Sequence, residues 1–463
     1  MAGLKKYKHV FFSGIGGIGM SAMARILLED GFKVSGSDRE LSDITRQLTD
    51  LGAVIYKGQH AENIKNADVL VYSSAIAADN PERAAAGQLR IPVIRRAEML
   101  AEMMRLKYCL AIAGTHGKTT TSAMCTTIFR QAGLQPTFLV GGRLLDLKTN
   151  AGAGKGEFFI TEADEYDRSF LTLNPAFALI TNIEADHLDC YHDLNDIKKA
   201  FISFASKVPF YGAVICCSDD AGVMDILPEL NNQVITYGLN EQANYRAVRI
   251  QFDKSLAATT FEVYRQGKSI GNIKLVISGE HNVKNALAAI ALAIENEIPF
   301  HHIRTALAAF HGVERRFEVK GVINNTMVID DYAHHPTELG ATLATARKIW
   351  PGRVLAVFQP HLFSRTRDFY KQFAERLLPA DLIFITDIYP AREKPIAGIT
   401  AELIVQELTK QSHPAVQYVP DRKNVAGEIR KHVQAGDMVL FMGAGDIWKS
   451  AMELTELLKI RKI

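Results

Sequence analysis

The chain has 463 residues, 48% hydrophobic and 22% charged, a composition of globular proteins with roughly three domains that excludes extended disorder. Its 53 Lys and Arg against 51 Asp and Glu leave a net charge of +2, too balanced for an obligate nucleic-acid or anionic-membrane partner. No apolar run reaches the roughly 18 residues of a membrane helix; the start MAGLKKYKHVFFSGIGGIGM has no cleavage site, and Cys109, Cys125, Cys190, Cys216 and Cys217 show no spacing pattern, which predicts a cytoplasmic protein.

Short β-rich runs alternate with helical patterns, predicting βαβ units and parallel sheets. Glycine-rich turns separate three sections, 1–106, 107–313 and 314–463. The first opens with a strand at His9–Ser13, the loop Gly14-Ile15-Gly16-Gly17-Ile18-Gly19 and a helix. A strand at Lys33–Ser37 then ends at Asp38. G-x-G-x-x-G with an acid about twenty residues on is a dinucleotide fingerprint. Physically it says that a pyrophosphate can sit at this helix N-terminus. NAD and a UDP-sugar both satisfy it. The strand Val69–Ser73 runs into Ser74, and the helix Arg95–Arg105 leads out.

The second section opens with the strand Cys109–Ala113 and Gly114-Thr115-His116-Gly117-Lys118-Thr119-Thr120. Backbone N–H groups of such a turn cradle phosphates, the lysine reaches the β- and γ-phosphates, and the Thr119 hydroxyl suits Mg²⁺. Ile112 stands where the usual pattern has Gly, so this is a shortened variant. Strands at Phe158–Thr161 and Ala178–Asn182 run into Glu162-Ala163-Asp164-Glu165 and Glu184-Ala185-Asp186-His187-Leu188-Asp189. On an extended strand Glu162 and Asp164 share a side, so they read as a Mg²⁺ site or as a solvated acidic turn. His187 reads as a metal or phosphate ligand or as a structural histidine, and no Cys/His spacing supports zinc. A β-rich stretch over 212–278 precedes the helix Asn282–Asn296. There Asn282 and Asn285 share a face, as a cap or as base or phosphate contacts.

In the third section, Arg315-Arg316 reads as a γ-phosphate contact or a solvated charge pair. Strands at Met327–Asp330, Val354–Phe358, Leu382–Thr386 and Met438–Met442 alternate with helices. Asp330-Asp331-Tyr332-Ala333-His334-His335 follows the first and resembles a site. Gln359-Pro360-His361-Leu362-Phe363-Ser364-Arg365 follows the second, and its arginine can grip a carboxylate bidentately. Gly443-Ala444-Gly445-Asp446 reads as a structural turn.

In this order, GIGGIGMS, SGSD, AGTHGKTTT, EADEYDRSF, NIEADHLD, GEHNVKN, RRFE, DDYAHHPTE and QPHLFSRTR resemble the Mur ligases along essentially the whole chain. These are ATP-dependent amide-forming enzymes of bacterial cell-wall synthesis. The resemblance implies three α/β domains: Rossmann-like for the UDP-sugar, a central P-loop ATPase with extra β-structure, and a Rossmann-like C-terminal domain for the incoming amino acid. It replaces NAD by a UDP-sugar diphosphate at Gly16, Gly17, Ile18 and Gly19, with Asp38, Ser73 and Ser74 nearby. It implies ATP at Gly114–Thr120, Lys118 on the γ-phosphate, and Mg²⁺ on Thr119, Glu162 and His187. Asn282, Asn285, Arg316 and Asp331 would contact nucleotide and phosphate. Tyr332, His334 and Arg365 would face the amino acid, with His334 or His187 as the base for its amine.

Several sister ligases carry a carbamylated lysine fourteen residues after the motif histidine. That position is Phe201 here, and Lys198 and Lys199 are off register, so no carbamate is expected. The QPH-x-x-SRT segment and the form of the first loop resemble the branch that joins L-alanine to UDP-N-acetylmuramate, rather than the recycling branch that attaches a tripeptide. No nucleic acid or membrane is implied, and a monomer or weak homodimer is. An acyl phosphate hydrolyses if wet, so hinges are expected near Leu106–Lys107 and Gly312–Glu314.

Overall fold

A computed structural model describes residues 6–73, 75–105, 107–187, 190–253, 258–391, 393–411 and 415–460. Ser74, Leu106, Leu188 and Asp189, named in the expectations above, lie outside them. The chain forms two compact units: Met1–Arg249, Phe261–Ile273 and Lys284–Phe310 in one, and Ile250–Thr260, Lys274–Val283 and His311–Ile463 in the other. Among the described residues no helix is long and apolar enough to cross a membrane.

The α/β class holds, with three sheets among the described residues. The first runs Val54–Lys57, Lys33–Asp38, His9–Ser13, Val69–Tyr72, Val93–Arg95, every pairing parallel. The chain crosses to one side of His9–Ser13 and then the other, so the strand order reverses between His9–Ser13 and Val69–Tyr72. A ligand crevice forms at such a switch point. The helix Ile18–Glu29 buries Met20, Met23, Ala24 and Leu27, at the spacing of one helical face.

The second sheet has ten strands, in the order Lys268–Leu275, Ala258–Arg265, Tyr245–Asp253, Val234–Gly238, Ala213–Cys217, Phe177–Ile180, Tyr108–Ala113, Phe158–Glu162, Thr137–Leu144, Thr149–Gly152. The Tyr108–Ala113 strand therefore lies between Phe177–Ile180 and Phe158–Glu162, with both pairings parallel. This order brings three of the expected motifs to one sheet edge. The antiparallel pair Thr137–Leu144 and Thr149–Gly152 escaped sequence reading, because glycines interrupt the alternation on which a strand is recognised.

The third sheet runs Glu318–Ile323, Thr326–Asp331, Met438–Met442, Val354–Phe358, Leu382–Ile385, Val416–Tyr418. Its first pairing is antiparallel and the others are parallel. Central strands such as VLAVF and MVLFM are buried at every residue, as covering on both faces requires.

Candidate active site

Two sites lie in the first unit. At the first sheet, Gly14 adopts φ +81°, a conformation that costs a Cβ-bearing residue energy. A Cβ there would lie 3.3 Å from Ser73 Oγ, so the switch point joins the glycine loop to Ser73. Gly16 N–H donates to Asp38 Oδ2 at 2.8 Å. Gly17 caps the helix and Ile18 is exposed. A Cβ on Gly19 would meet Arg96 Nη1 at 2.7 Å. Arg96 thus brings a cation to the helix start, and the sequence reading assigned it no role.

At the second sheet, Gly114 (φ +132°) and Gly117 (φ +83°) turn the chain from Tyr108–Ala113 into the helix Lys118–Gln131. The neighbouring strand stops at Ile180 rather than Asn182 because its next residues serve the loop. Asn182 accepts from Thr115 N–H and His116 N–H, and Thr181 Oγ1 donates to the His116 carbonyl at 2.6 Å. Lys118 Nζ donates to the Gly114 and Thr115 carbonyls and to both Glu165 oxygens, at 2.8 and 3.1 Å. Thr119 and Thr120 lie buried in the first helical turn. Asn285 also packs on this loop, since a Cβ on Gly117 would meet its Oδ1 at 2.6 Å.

The acidic motif departs from expectation. The strand ends at Glu162, so Glu162 and Asp164 do not share a strand face. The Asp164 carbonyl accepts from Phe170 N–H and Ser169 Oγ, which winds the chain into a short 3₁₀ segment over Tyr166–Thr172. Glu162 Oε1 accepts from Gly141 N–H at 2.5 Å and Ser122 Oγ at 3.3 Å. Ligand atoms of Asp164, Glu165 and His187 instead lie within 4.8 Å of one another. Two carboxylates and an imidazole suit a divalent cation, the oxygens being the donors that Mg²⁺ prefers. Burial raises the Glu165 carboxyl above its ordinary value, with the Lys118 ammonium pulling against it. Burial opposes the charge on Lys118, but Glu165, Asp164 and Glu162 together hold it protonated. Tyr191 Oη donates to the Glu165 carbonyl at 2.6 Å, and Arg168 lies over the Tyr191 ring.

Asn282 and Asn285 lie within the helix Glu280–Glu295, so neither caps it. Asn282 Nδ2 donates to the Ser278 carbonyl at 2.7 Å. Phe201 is fully buried, 5.2 Å ring to ring from Phe170. The position where the resemblance would put a carbamate is therefore aromatic core. Phe201→Ala is expected to cost about 3–5 kcal/mol in urea unfolding. A loss below about 1 kcal/mol would contradict the packing.

In the second unit, the Asp331 carboxylate accepts from Phe317 N–H at 2.8 Å and Ala333 N–H at 2.7 Å, fastening RRFE to the strand end. Tyr332 carries the Arg315 and Arg316 guanidinium groups 4.9 and 5.1 Å from its ring centre. Arg315 also donates to the Gly443 carbonyl at 2.6 Å, so GAGD supports this site from the adjacent strand. His334 Nδ1 lies 3.0 Å from the Tyr332 carbonyl and 3.2 Å from Glu338 Oε2. Two acceptors there fit a ring proton on Nδ1. Glu338 also accepts from the N–H groups of His334 and His335 and lies 3.7 Å from Arg316. His361 bridges the rest. Its ring is 5.9 Å from that of His334, stacks on Tyr389, and sits 3.4 Å from Arg365 Nη1. Tyr332, His334 and Arg365 are therefore brought together, with His361, Tyr389 and Glu338 as members that sequence reading left without roles.

Asp330 is buried, which pushes its carboxyl up to about 6, while Arg315 and Lys320 pull it down. Between the ordinary value of 3.8 and about 6, the folded chain holds a proton that the unfolded chain has lost. That stability is complete below the unfolded value and is lost as pH rises through the folded one. Asp330→Asn, which cannot ionise, should gain on the parent by up to about 3 kcal/mol between pH 4 and pH 7. Urea unfolding of both proteins at each pH checks this, and an unchanged difference would refute it.

Comparison with known proteins decides the family. The Mur ligase family catalytic-domain model matches residues 9–108. The Mur ligase middle-domain model matches residues 112–293. The glutamate ligase domain model matches residues 315–445. The chain is a Mur ligase. This Mur ligase is 48% identical over 456 residues to the UDP-N-acetylmuramate–L-alanine ligase of Syntrophotalea carbinolica, covering 98% of this chain and 99% of that one. It is also 48% identical to the Geobacter sulfurreducens protein of that name, covering 96% of each. Among solved structures it is similar to the UDP-N-acetylmuramate–alanine ligase of Thermotoga maritima, at a TM-score of 0.83, 30% identity and coverage of 98% and 99%. A murein peptide ligase from Psychrobacter arcticus follows at 0.72 and 25%, with coverage of 98% and 100%.

Proposed function

We propose that this Mur ligase joins L-alanine to the lactyl carboxylate of UDP-N-acetylmuramate, consuming ATP and releasing ADP and phosphate in peptidoglycan precursor synthesis. The observation that carries the reading is near-full-length identity of 48% to relatives named for that reaction. The site chemistry agrees with it.

A carboxylate is a poor electrophile, so its oxygen must first take the γ-phosphoryl group as an acyl phosphate. Lys118, already protonated at the mouth of the glycine loop, supplies the positive charge that a transferring phosphoryl group needs. Arg316 is the second cation we assign to that group. We assign Mg²⁺ to Thr119, Glu162 and His187, with Asp164 and Glu165 as further carboxylates beside His187. Bound there, the ion would screen the phosphates from the attacking carboxylate. Alanine's amine must lose a proton before it attacks, and His334 is the base we assign to it. His187 is the weaker base, because cation binding engages its lone pair. Collapse of the tetrahedral intermediate expels phosphate. The Gly14–Gly19 loop, with Asp38, Ser73 and Arg96, is our diphosphate site for the UDP-sugar. ATP as co-substrate supports a cytoplasmic enzyme.

Phosphate release tests the reading. ATP, Mg²⁺ and UDP-N-acetylmuramate should give release only when L-alanine is added. Release with an L-alanyl-D-glutamyl-diamino-acid tripeptide but not with alanine would overturn it in favour of the recycling reaction.

A further inference from the structure

Glu82 is fully buried and takes no part in the chemistry above. It stands in the first turn of the helix Pro81–Gln88, whose cap Asn80 accepts from its N–H at 2.9 Å. Its Oε2 accepts from Ser13 Oγ at 2.6 Å and Ser37 Oγ at 2.8 Å, and its Oε1 accepts from Asn63 Nδ2 at 2.9 Å. All three donors are neutral. The charge is offset by them and by the helix N-terminus. Burying such a group is expensive, and a well-packed apolar side chain commonly serves stability as well or better.

The donors explain what the carboxylate does. Ser13 directly precedes Gly14, and Ser37 directly precedes Asp38. The Ser37 carbonyl accepts from Gly14 N–H and Ile15 N–H, both at 2.9 Å. Asn63 Nδ2 also donates to the Gly58 carbonyl, and Gly58 N–H donates to the Asp38 carbonyl at 2.7 Å. One carboxylate therefore ties together the strand ends that aim the loop amides and the Asp38 side chain, which meet at Gly16 N–H.

We infer that Glu82 is a positioning residue of the UDP-sugar site, holding the glycine loop and Asp38 in mutual register. This rests on our assignment of that loop to the UDP-sugar diphosphate. The negative charge of Glu82 by itself opposes an anionic ligand. Geometry and charge therefore predict opposite signs when the charge is removed.

Steady-state kinetics of Glu82→Gln in the full-length enzyme separates them. The KM for UDP-N-acetylmuramate should rise about tenfold, the scale of disrupted hydrogen bonds to a charged group. The KM for ATP and kcat should stay within about twofold. Ser37→Ala should raise the same KM about threefold, and less again in the Glu82→Gln background, because the two share one contact. If Glu82→Gln does not fold, Ser37→Ala with an unshifted melting temperature carries the test. A UDP-sugar KM that is unchanged or lowered overturns the inference, as does parallel loss of kcat and of both affinities. If the wild-type protein itself shows no alanine-dependent release, the functional reading fails first. An active wild type with unaffected variants sinks only the role of Glu82.

Discussion

Lys118→Ala is expected to lower kcat/KM for alanine-dependent phosphate release by about 10³-fold or more. The ammonium sits on the carbonyls of Gly114 and Thr115, where a phosphate bound to the loop needs positive charge. The substitution also strands Glu165, whose side chain is 4% exposed. Removing one partner of a buried pair costs about 3 kcal/mol. Because Glu165 is among our Mg²⁺ residues, the double variant Lys118→Ala/Glu165→Gln separates the two effects in stability only. It should recover most of the stability in urea unfolding and none of the activity. If stability and activity returned together, Lys118 would be a structural residue and the phosphate assignment would fail.

Gly114→Ala should be nearly as damaging by another route. A Cβ at Gly114 would lie 2.0 Å from Thr181 Oγ1, 3.0 Å from Thr181 N and 3.1 Å from Asn182 N, at a φ of +132°. Two of these atoms are backbone and cannot swing away. The strand end must shift, taking with it the contacts that hold Thr115 and His116. We expect a loss of about 3 kcal/mol in unfolding free energy and at least about 100-fold weaker ATP binding by calorimetry. Gly133→Ala is the control. Its φ is +76°, yet a Cβ there meets nothing within 4 Å. It should cost about 1 kcal/mol and leave ATP affinity unchanged. Equal losses in the two variants would mean that backbone conformation alone, not the approach of Thr181, fixes Gly114.

Both glycine loops were legible because the signal is local: an apolar strand, a glycine turn, then a helix. The strands at His9–Ser13, Val354–Phe358 and Met438–Met442 stand at the bounds read from sequence. The grouping of Glu165 with His187 escaped sequence reading because alternation along a strand pairs Glu162 with Asp164, and the strand ends before that pairing applies. Only the turn after Glu162 rotates Asp164 and Glu165 toward His187. His361 and Tyr389 are far apart in the chain, and their stacking depends on the order of strands in the third sheet. Glu82 lies in the helix Pro81–Gln88, and charged residues are seldom fully buried. Its burial follows from two serines on different strands, which no window of sequence joins.

Glu338 serves the start of its helix, the His334 ring and the Arg316 guanidinium with one carboxylate. On our assignment of this cluster to the incoming amino acid, retuning the enzyme to another amino acid is then a problem of moving a block. A change at His334 alters the charge that Glu338 offers Arg316, and a change at Glu338 loosens all three. Single-residue libraries at this end should find mostly crippled variants, with altered selectivity emerging from paired substitutions whose separate effects do not add. An inhibitor that binds here would meet the same constraint from the other side: escape would need two coordinated changes, the first of them costly alone.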